Sequence, residues 1–354
     1  MTQGDYTFTE ITTQANAWAD ALQAFSAREL ALRQAWETVQ PKQVLFIGCG
    51  STYYLSQTAA ALFQELTGVP SCARPSSEVI LNAPQVLADP SQTLLVTISR
   101  SGTTTETLVA IEKFRQLGGK AVWGITCYPD SPQAQACDLV LPAEAAQEKS
   151  VAQTRSFASM LVLVQMMAAT LGGQDTSVAE TLPQLGQALI DETGPLMKAL
   201  GNRSDIDRLY FLGTGFQYGI ANEAMLKMKE MSLSHSEAFH FMEFRHGPMS
   251  MVTEQALVIG LLSKQTFEHE QKVLDEMKEL GGNILALSPV STDNSTSQQI
   301  SLPNNLPTWI MPVLYLPILQ LLAYYRTVGK GLNPDNPRHL SQVITLNAAD
   351  LATE

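Results

Sequence analysis

The chain has 354 residues, of which 45% are hydrophobic and 16% are charged, and its formal net charge is −12. This size and balance are typical of a globular protein with room for two domain cores. The negative charge argues against a nucleic-acid partner, because a phosphate backbone requires a basic surface. A small anionic ligand stays possible, since backbone amides and hydroxyls bind phosphate without net positive charge.

Neither the cysteines nor the termini indicate an unusual environment. The four cysteines form no Cys-x-x-Cys pair and no histidine cluster has metal spacing, so we predict no metal and incidental thiols in a reducing cytoplasm. The first residues lack the basic and apolar regions of a signal peptide. The apolar run 309–325 contains Pro312 and Pro317, which favours a buried helix over a membrane span.

Predicted helices and short apolar strands alternate along the first half of the chain. We predict helices at 10–38, 53–66, 108–117 and from 151 to about 169, and strands at 44–47, 94–98, 121–126 and 138–141. Strand, helix and strand at this spacing form right-handed crossovers, and apolar residues on both strand faces indicate a parallel sheet covered by helices.

A mostly helical segment at 178–200, with a predicted break at Gly194-Pro195, leads to a second copy of the same pattern. The copy contains predicted strands from 208, at 256–262, 284–287 and 300–302, and predicted helices at 220–231 and 309–325. The two copies share a Gly-x-Gly turn at 48–50 and 213–215, an apolar strand at 94–98 and 257–261, and a Leu-Gly-Gly triplet at 117–119 and 280–282. A repeat of this length predicts two α/β domains of one kind.

We predict the following domain boundaries. An N-terminal helical segment covers 1–34, the first domain 35–175, a helical linker 176–203, the second domain with a C-terminal loop 204–346, and a tail 347–354.

Hydroxyl side chains crowd the turn after the strand 94–98. They belong to Ser99, Ser101, Thr103, Thr104 and Thr105. Ligands of open α/β sheets bind at the carboxyl ends of strands, where a helix N-terminus favours an anion. Ser51 and Thr52 follow a neighbouring strand at the same edge. Helix capping would account for one hydroxyl but not for this run, so we predict a phosphate site.

The Gly48-x-Gly50 turn does not predict a dinucleotide site. The third glycine of the fingerprint is absent, because position 53 is Tyr, and no acidic residue ends the next strand. We therefore predict no nicotinamide or flavin, and no other cofactor.

Three charged residues, Glu223, Lys227 and Glu230, share one face of a predicted helix. A solvated stripe of ion pairs is the simpler interpretation. The face follows the Gly215 turn, however, close to the expected ligand edge, where a carboxylate could move a proton between two carbons of an open-chain sugar.

His246 lies before Gly-Pro in a predicted loop, within the sequence Glu243-Phe-Arg-His-Gly-Pro248. Because histidine titrates near neutrality, it suits the opening of a sugar ring by proton transfer, although an ordinary loop histidine is equally compatible with the pattern. We expect the other four histidines to be structural.

Together these residues resemble the sugar isomerase (SIS) domain family over about residues 35–346. The matching motifs are Ser99-x-Ser-Gly-x-Thr104, Val151-Ala-x-Thr154, Glu223-x-x-x-Lys-x-x-Glu230, Glu243-x-x-His-Gly-Pro248 and Asp335-Asn-Pro-Arg-His-Leu340. The chain is similar to the isomerase half of glucosamine-fructose-6-phosphate synthase and to stand-alone SIS deaminases and deglycases. The resemblance implies two tandem three-layer domains of the flavodoxin-like type.

The resemblance also implies site residues in the first domain. The phosphate loop of the family is matched by Ser99, Arg100, Ser101 and Thr104, with Arg100 where the synthase has Gln. Ser51 and Thr52 match positions that line the sugar. Val151 matches a backbone contact to the sugar, and Gln153 stands where the synthase has Ser.

In the second domain, the resemblance implies the catalytic groups. Glu230 matches the base that moves a proton between C1 and C2, and Glu223 and Lys227 match its supporting residues. His246 matches the ring-opening histidine, which the family contributes across a dimer interface. An obligate homodimer with its active site at the subunit interface is therefore implied, with no nucleic-acid or membrane partner.

Two departures bear on the reaction. Gln342 stands where the synthase has the lysine that forms a Schiff base with the ketose, and glutamine cannot form an imine. We also find no N-terminal nucleophilic cysteine of a glutaminase domain. Both departures favour breakdown of a hexose 6-phosphate that carries its own amine, either a glucosamine 6-phosphate or a fructosamine 6-phosphate. The alternatives are a plain phosphosugar aldose–ketose isomerase and a non-catalytic phosphosugar sensor.

Overall fold

The computed structural model describes residues 4–291, 298–344, 346, 347 and 351. Within them the chain forms two compact units. The first unit consists of Thr13–Lys149, Gln153–Gln184 and the described residues from Ser341 onward, and the second of those up to Thr12, Ser150–Ala152 and Leu185–Leu340. The first three residues of the predicted N-terminal segment and most of the predicted tail 347–354 lie outside the described residues.

The first unit is built on a parallel sheet. Its described strands are β1 (Gln43–Gly48), β2 (Ser71–Pro75), β3 (Thr93–Ser99), β4 (Ala121–Thr126) and β5 (Leu139–Pro142). They pair in the order β2-β1-β3-β4-β5. Every residue of β3 and β4 is buried, because helices cover both faces of the sheet and apolar side chains can point either way.

The second unit repeats this sheet. Its described strands are β6 (Arg208–Gly213), β7 (His235–His240), β8 (Ala256–Leu261), β9 (Asn283–Ser288) and β10 (Gln298–Ser301). They are again parallel, in the order β10-β9-β8-β6-β7. The predicted fold class, two α/β units with parallel sheets flanked by helices, is confirmed.

Helices connect these strands. In chain order the described α-helices are α1 (Asp5–Thr12), α2 (Gln14–Ser26), α3 (Glu29–Val39), α4 (Ser51–Thr67), α5 (Ser76–Leu81), α6 (Ala83–Val86), α7 (Thr105–Gln116), α8 (Pro132–Ala136), α9 (Arg155–Leu171), α10 (Leu182–Gly201), α11 (Gln217–Ser232), α12 (Phe241–Phe244), α13 (Phe267–Glu279) and α14 (Pro312–Gly329). α9 packs against α2 and α4, and α11 packs against α14.

The repeated Gly-x-Gly turn has the same geometry in both units. Gly50 and Gly215 have φ of 57° and 58°, a left-handed conformation that favours glycine. A Cβ on Gly48 would lie 2.5 Å from the backbone of Thr52, and one on Gly213 would lie 2.5 Å from the carbonyl oxygen of Gln217. The first glycine therefore permits close contact with the helix, and the second permits the turn.

Several predicted elements were wrong in detail. The helix predicted at 10–38 is three helices, interrupted at Thr13 and at Ala27 to Arg28. The break predicted at Gly194-Pro195 is absent, because α10 runs through Pro195. The strands β2 and β7 were not predicted, and neither was α13.

α14 confirms the predicted buried helix. The stretch Thr308–Gly329 is long and apolar enough to cross a membrane, with a mean hydropathy of 1.3, yet 83% of its apolar window is buried inside the protein. Tyr315 donates its hydroxyl to the carbonyl oxygen of Leu262, a backbone group at the end of β8. The helix thus behaves as the core of the second unit.

Candidate functional site

The loop 99–104 links the carboxyl end of β3 to the N-terminus of α7, as predicted. Ser99 Oγ lies 3.2 Å from Thr104 Oγ1 and accepts from the amide of Gly102, also at 3.2 Å. Ser101 Oγ accepts from the amide and the hydroxyl of Thr103 at 3.2 and 3.0 Å. These bonds fix a hydroxyl-rich loop at a helix N-terminus, which is a geometry suited to an anion.

Gly102 gives this loop its shape. Its φ of +64° is left-handed, and a Cβ there would lie 2.0 Å from Ser131 Oγ. Its carbonyl oxygen accepts from the amide of Gln133, and the carbonyl of Arg100 accepts from Thr126 Oγ1. The loop is therefore hydrogen-bonded to β4 and α8, and these bonds hold its hydroxyl groups in position.

Ser51 and Thr52 lie in the first turn of α4, at the same sheet edge, and both are buried. Thr52 Oγ1 accepts from the amide of Cys49 at 2.9 Å and donates to the carbonyl oxygen of Cys49 at 3.0 Å. The Thr52 hydroxyl thus stabilises the turn between β1 and α4. A contact from Thr52 to a sugar would use the part of the Thr52 side chain that does not face Cys49.

The side chain of Arg100, in the loop 99–104, forms a buried ion pair. Its guanidinium lies 3.3 Å from Glu148 Oε2, and Arg100 is 7% exposed. It also donates to the carbonyl oxygen of Gln342 at 2.9 Å. The charge of Arg100 is therefore balanced within the first unit, and its side chain connects the loop to the C-terminal segment.

Glu148 is a residue that the sequence analysis missed. Its carboxylate accepts from the amide and hydroxyl of Thr154 at 2.7 and 2.8 Å, from the amide of Ser156 at 3.1 Å, and from the hydroxyl of Ser156. It thereby positions the N-terminus of α9 next to Arg100. The available signal was an acidic residue three positions before the motif Val151-Ala-x-Thr154.

Gln153 and Gln342 also belong to the first unit. The Gln342 side chain donates to the carbonyl oxygen of Lys149 at 2.8 Å. Gln153 Oε1 is buried and accepts no hydrogen bond from the described residues. A buried acceptor without a donor destabilises a fold, so Gln153 is an unusual residue of this segment.

Val151 belongs to the second unit, where the N-terminal helix and the Asp335 motif hold it. The amide of Val151 donates to the carbonyl oxygen of Asp335 at 3.1 Å. The Asp335 carboxylate in turn accepts from the amide and hydroxyl of Thr7, both at 2.8 Å. Glu10 accepts from the amide and hydroxyl of the neighbouring Ser150. α1 thus braces this segment.

Glu223, Lys227 and Glu230 form one ion cluster on α11, as their spacing predicted. The ammonium group of Lys227 lies 2.5 Å from Glu230 Oε2 and 3.5 Å from Glu223 Oε1. The side chains of Lys227 and Glu223 are each 2% exposed, whereas that of Glu230 is 21% exposed. The simpler interpretation, a solvated stripe, is therefore wrong: this is a buried cluster from which one carboxylate reaches solvent.

The position of Glu230 differs from the sequence argument. Glu230 lies in the last turn of α11, about 20 Å along the helix axis from its start after the Gly215 turn. The predicted proximity of Glu230 to the carboxyl edge of the sheet is therefore not found.

His246 is exposed, in the turn between α12 and the following 3-10 helix, where its amide donates to the carbonyl of Glu243. Another histidine has a more specific contact: the ring of His240 stacks on Tyr218 at a centroid distance of 3.8 Å. Burial lowers the pKa of His240. This stack had no signal in the sequence, because its residues come from β7 and α11.

The structure thus gathers the predicted residues into two sets. The first unit holds Ser51, Thr52, Ser99, Arg100, Ser101, Thr104, Gln153 and Gln342, and the second unit holds Val151, Glu223, Lys227, Glu230 and His246. In the part of the chain that the structure describes, no three His, Cys, Asp or Glu side chains are grouped for a metal ion.

Comparison with known proteins identifies the family. The SIS domain family model matches residues 38–170 and 204–314, one match in each repeat. Among curated proteins, the glutamine–fructose-6-phosphate aminotransferase of Pseudomonas syringae is 30% identical over 86% of this chain, and that of Escherichia coli is 28% identical over the same share. The chain spans about half, 52%, of the length of these relatives.

Solved structures agree over nearly the whole chain. A glucosamine-6-phosphate deaminase from Thermotoga maritima is 27% identical, with a TM-score of 0.81 over 97% of this chain and 100% of that one. A tagatose-6-phosphate ketose/aldose isomerase from Escherichia coli, at 23% identity, shares the fold with a TM-score of 0.84 over 94% of this chain and 95% of that one. The family model and the 30% identity to the aminotransferases settle the assignment, and this chain belongs to the SIS domain family.

Proposed function

We propose that this chain acts on an amino-sugar 6-phosphate and combines an aldose–ketose type proton transfer with cleavage of a carbon–nitrogen bond. The loop 99–104 would hold the 6-phosphate, and His246 would open the sugar ring. The observation that carries the proposal is the buried cluster on α11, where Lys227 holds the partly exposed carboxylate of Glu230 in place. Such a carboxylate can take a proton from one carbon and return it to the next.

The nitrogen atom of the substrate would supply the imine that the cleavage requires. Once Glu230 has moved the proton between C1 and C2, the carbon–nitrogen bond of the substrate has become an imine. Water adds to this imine, and the nitrogen leaves as ammonia or as an amine, which leaves a carbonyl on the sugar. No lysine of the protein is needed for this step, which agrees with Gln342 donating its side-chain amide to a backbone carbonyl.

A relative that is named as a deaminase supports cleavage of the carbon–nitrogen bond. The Thermotoga maritima glucosamine-6-phosphate deaminase is matched over its whole length at 27% identity, and the tagatose-6-phosphate isomerase at 23%. The second candidate is therefore a plain phosphosugar isomerase. A sensor is the third, and the intact ion cluster on α11 speaks against it.

The deciding experiment measures hexose 6-phosphate release from glucosamine 6-phosphate and from fructoselysine 6-phosphate. We expect release from one of them, and a loss of about 100-fold or more in kcat in Glu230→Gln, because an amide cannot accept the proton. Glu237→Gln, an exposed carboxylate on β7, is the matched control and should keep the wild-type kcat. Full turnover by Glu230→Gln would refute the mechanism.

We further propose that the working form is a homodimer in which His246 serves the partner's site, because its side chain is exposed in the described chain. Mixing the inactive variants Glu230→Gln and His246→Ala tests this. Random reassortment should give about half heterodimers with one intact site each, and so about a quarter of the wild-type activity. A mixture as inactive as its components would contradict a shared site.

A further inference from the structure

The second unit contains a buried carboxylate at its own sheet edge. Glu270, on α13, is 1% exposed. Its carboxylate accepts from the amide of Ser263 at 2.7 Å, from Thr266 Oγ1 at 2.7 Å and from Ser263 Oγ at 3.4 Å. These donors come from the loop 262–266, between β8 and α13. An anion is therefore already bound at this helix N-terminus, and it belongs to the chain itself.

The internal repeat identifies the counterpart of this carboxylate. The offset between the copies is 163 residues both at the strand, Leu94 to Leu257, and at the end of the helix, Leu117 to Leu280. The same offset aligns Glu270 with Thr107 of α7. It also aligns the loop 262–266 with residues 99–103, the part of the first unit that we assign to the phosphate.

The two counterparts occupy similar surroundings but differ in charge. Thr107 is buried, and its hydroxyl lies 3.9 Å from Cys49 Sγ and 3.3 Å from Ser76 Oγ, so it does not reach the loop. Cys49 corresponds to Thr214 of the second Gly-x-Gly turn, and Thr214 is among the groups that lower the pKa of Glu270. The longer glutamate side chain therefore bonds the loop in the second unit, whereas the threonine hydroxyl of the first unit bonds Cys49 and Ser76 instead.

The loops 99–103 and 262–266 also differ in ways that fit a carboxylate in the second unit only. In the first unit Ser101 and Thr103 bond to each other, and Gly102 permits the left-handed turn. In the second unit Gln265 takes the place of that glycine, and Ser263 and Thr266 direct their hydroxyls at Glu270. The donors that an external anion would need are thus already bonded.

We propose that the Glu270 carboxylate is a built-in replacement for a ligand phosphate, so that each chain presents one phosphate loop and not two. That Glu270 occupies the donors of the loop 262–266 follows from contacts within the second unit. Only the statement that the first loop takes the phosphate rests on the proposed function. Burial raises the pKa of Glu270 while its hydrogen bonds lower it, which is the balance expected for a carboxylate enclosed by donors.

The test removes the carboxylate and counts anion sites. Glu270→Thr copies the residue found at the equivalent position of the first unit. Titration calorimetry with glucose 6-phosphate and with inorganic phosphate should give one site per chain in the wild type and one additional site in Glu270→Thr. A folded Glu270→Thr variant with no additional site for either probe would overturn the proposal.

The reciprocal change tests the same idea in the first unit. Thr107→Glu should bring a carboxylate under the loop 99–104 and weaken phosphate binding by on the order of tenfold or more, since the two anions repel. Thr107→Gln is the matched control for size. Equal affinities in the two variants would overturn the proposal, and this comparison decides the matter if Glu270→Thr does not fold.

The outcomes separate this proposal from the proposed function. If the wild type binds no phosphate but Glu270→Thr gains a site, the role of Glu270 stands and the assignment of the first loop falls. If the wild type binds one phosphate and neither Glu270→Thr nor the pair of Thr107 variants changes the binding as stated, the first loop stands and the role of Glu270 falls.

Discussion

The side chain of Arg100 makes contacts that its motif does not indicate. The resemblance predicts a contact between Arg100 and the ligand phosphate, and in the structure the guanidinium faces Glu148 and the carbonyl oxygen of Gln342. No local pattern reveals this pair, because the two residues are 48 positions apart in the sequence. The backbone and hydroxyls of the loop are therefore the stronger candidates for the phosphate, as for other uncharged anion sites.

The contacts of Glu148 predict a positioning role that can be measured. In Glu148→Gln the carboxylate that faces Arg100 becomes neutral, while one acceptor oxygen stays. We expect a KM for the sugar phosphate raised by about tenfold, with a smaller change in kcat, because the loop shifts while Glu230 does not. Glu144→Gln, an exposed residue in the same segment, is the control. A fall in kcat at unchanged KM would contradict this role.

At the scale of elements, the missed strands have a common cause. β2 and β7 are both edge strands of their sheets. Their sequences, Ser-Cys-Ala-Arg-Pro and His-Ser-Glu-Ala-Phe-His, carry polar side chains because one side of an edge strand meets solvent or a helix end. The central strands β1, β3, β6 and β8 form apolar runs and were predicted. The opposite edge strands, β5 and β10, were predicted as well, so hydropathy missed β2 and β7 because of their polar sequences and not because of an edge position alone.

α10 was misjudged for a different reason. Proline in a helix removes one hydrogen bond to the carbonyl four residues earlier, which here is that of Asp191. Both Pro195 and Asp191 are exposed, so water can take the place of the lost donor. The helix therefore continues through a dipeptide that usually ends one.

The two glycines of each turn are expected to respond differently to alanine. Gly215→Ala meets no atom within 4 Å, so its cost is that of the left-handed backbone, about 1–2 kcal/mol of unfolding free energy. Gly213→Ala places a Cβ 2.5 Å from the carbonyl oxygen of Gln217 and should cost more, because backbone atoms must move. Urea unfolding measures both.

Gly215→Asn is the matched control for the turn, since asparagine tolerates a left-handed conformation better than alanine does. It should recover part of the loss seen in Gly215→Ala. Equal stability of Gly213→Ala and Gly215→Ala would contradict the division of roles between the two glycines.

At the scale of the whole molecule, most of the predicted fold followed from the internal repeat. The equal spacing of landmarks in the two copies predicted two α/β units, and the family motifs predicted the candidate site residues in both units. What the sequence left open are side-chain contacts, such as Glu148 with Arg100, 48 positions apart, and Glu270 with Ser263, 7 positions apart. The side chains that complete these contacts are ordinary glutamates, and only the fold brings them to their partners.

Glu270 also makes a prediction for the stability of the whole chain. Since burial raises its pKa in the folded state, its contribution is fully present below the unfolded value of about 4.3 and is lost as the pH rises through the folded value. The unfolding free energy of the wild type relative to Glu270→Gln should therefore decrease with rising pH in this window, by at most about 1.4 kcal/mol per pH unit.

Denaturant unfolding between pH 4 and pH 8 measures this difference, and Glu268→Gln, an exposed neighbour on α13, is the control, for which it should stay flat. Parallel curves for the wild type and Glu270→Gln would mean that burial does not perturb Glu270.

The bond between Thr7 and Asp335 spans 328 positions, and both residues belong to the second unit. During synthesis, α1 is made long before its anchoring carboxylate, which follows only after all five strands of the first sheet. Closing such a long loop is slow relative to local folding. We expect the first sheet to assemble early and α1 to dock last, so the segment around Val151 would become ordered only in the final step of folding.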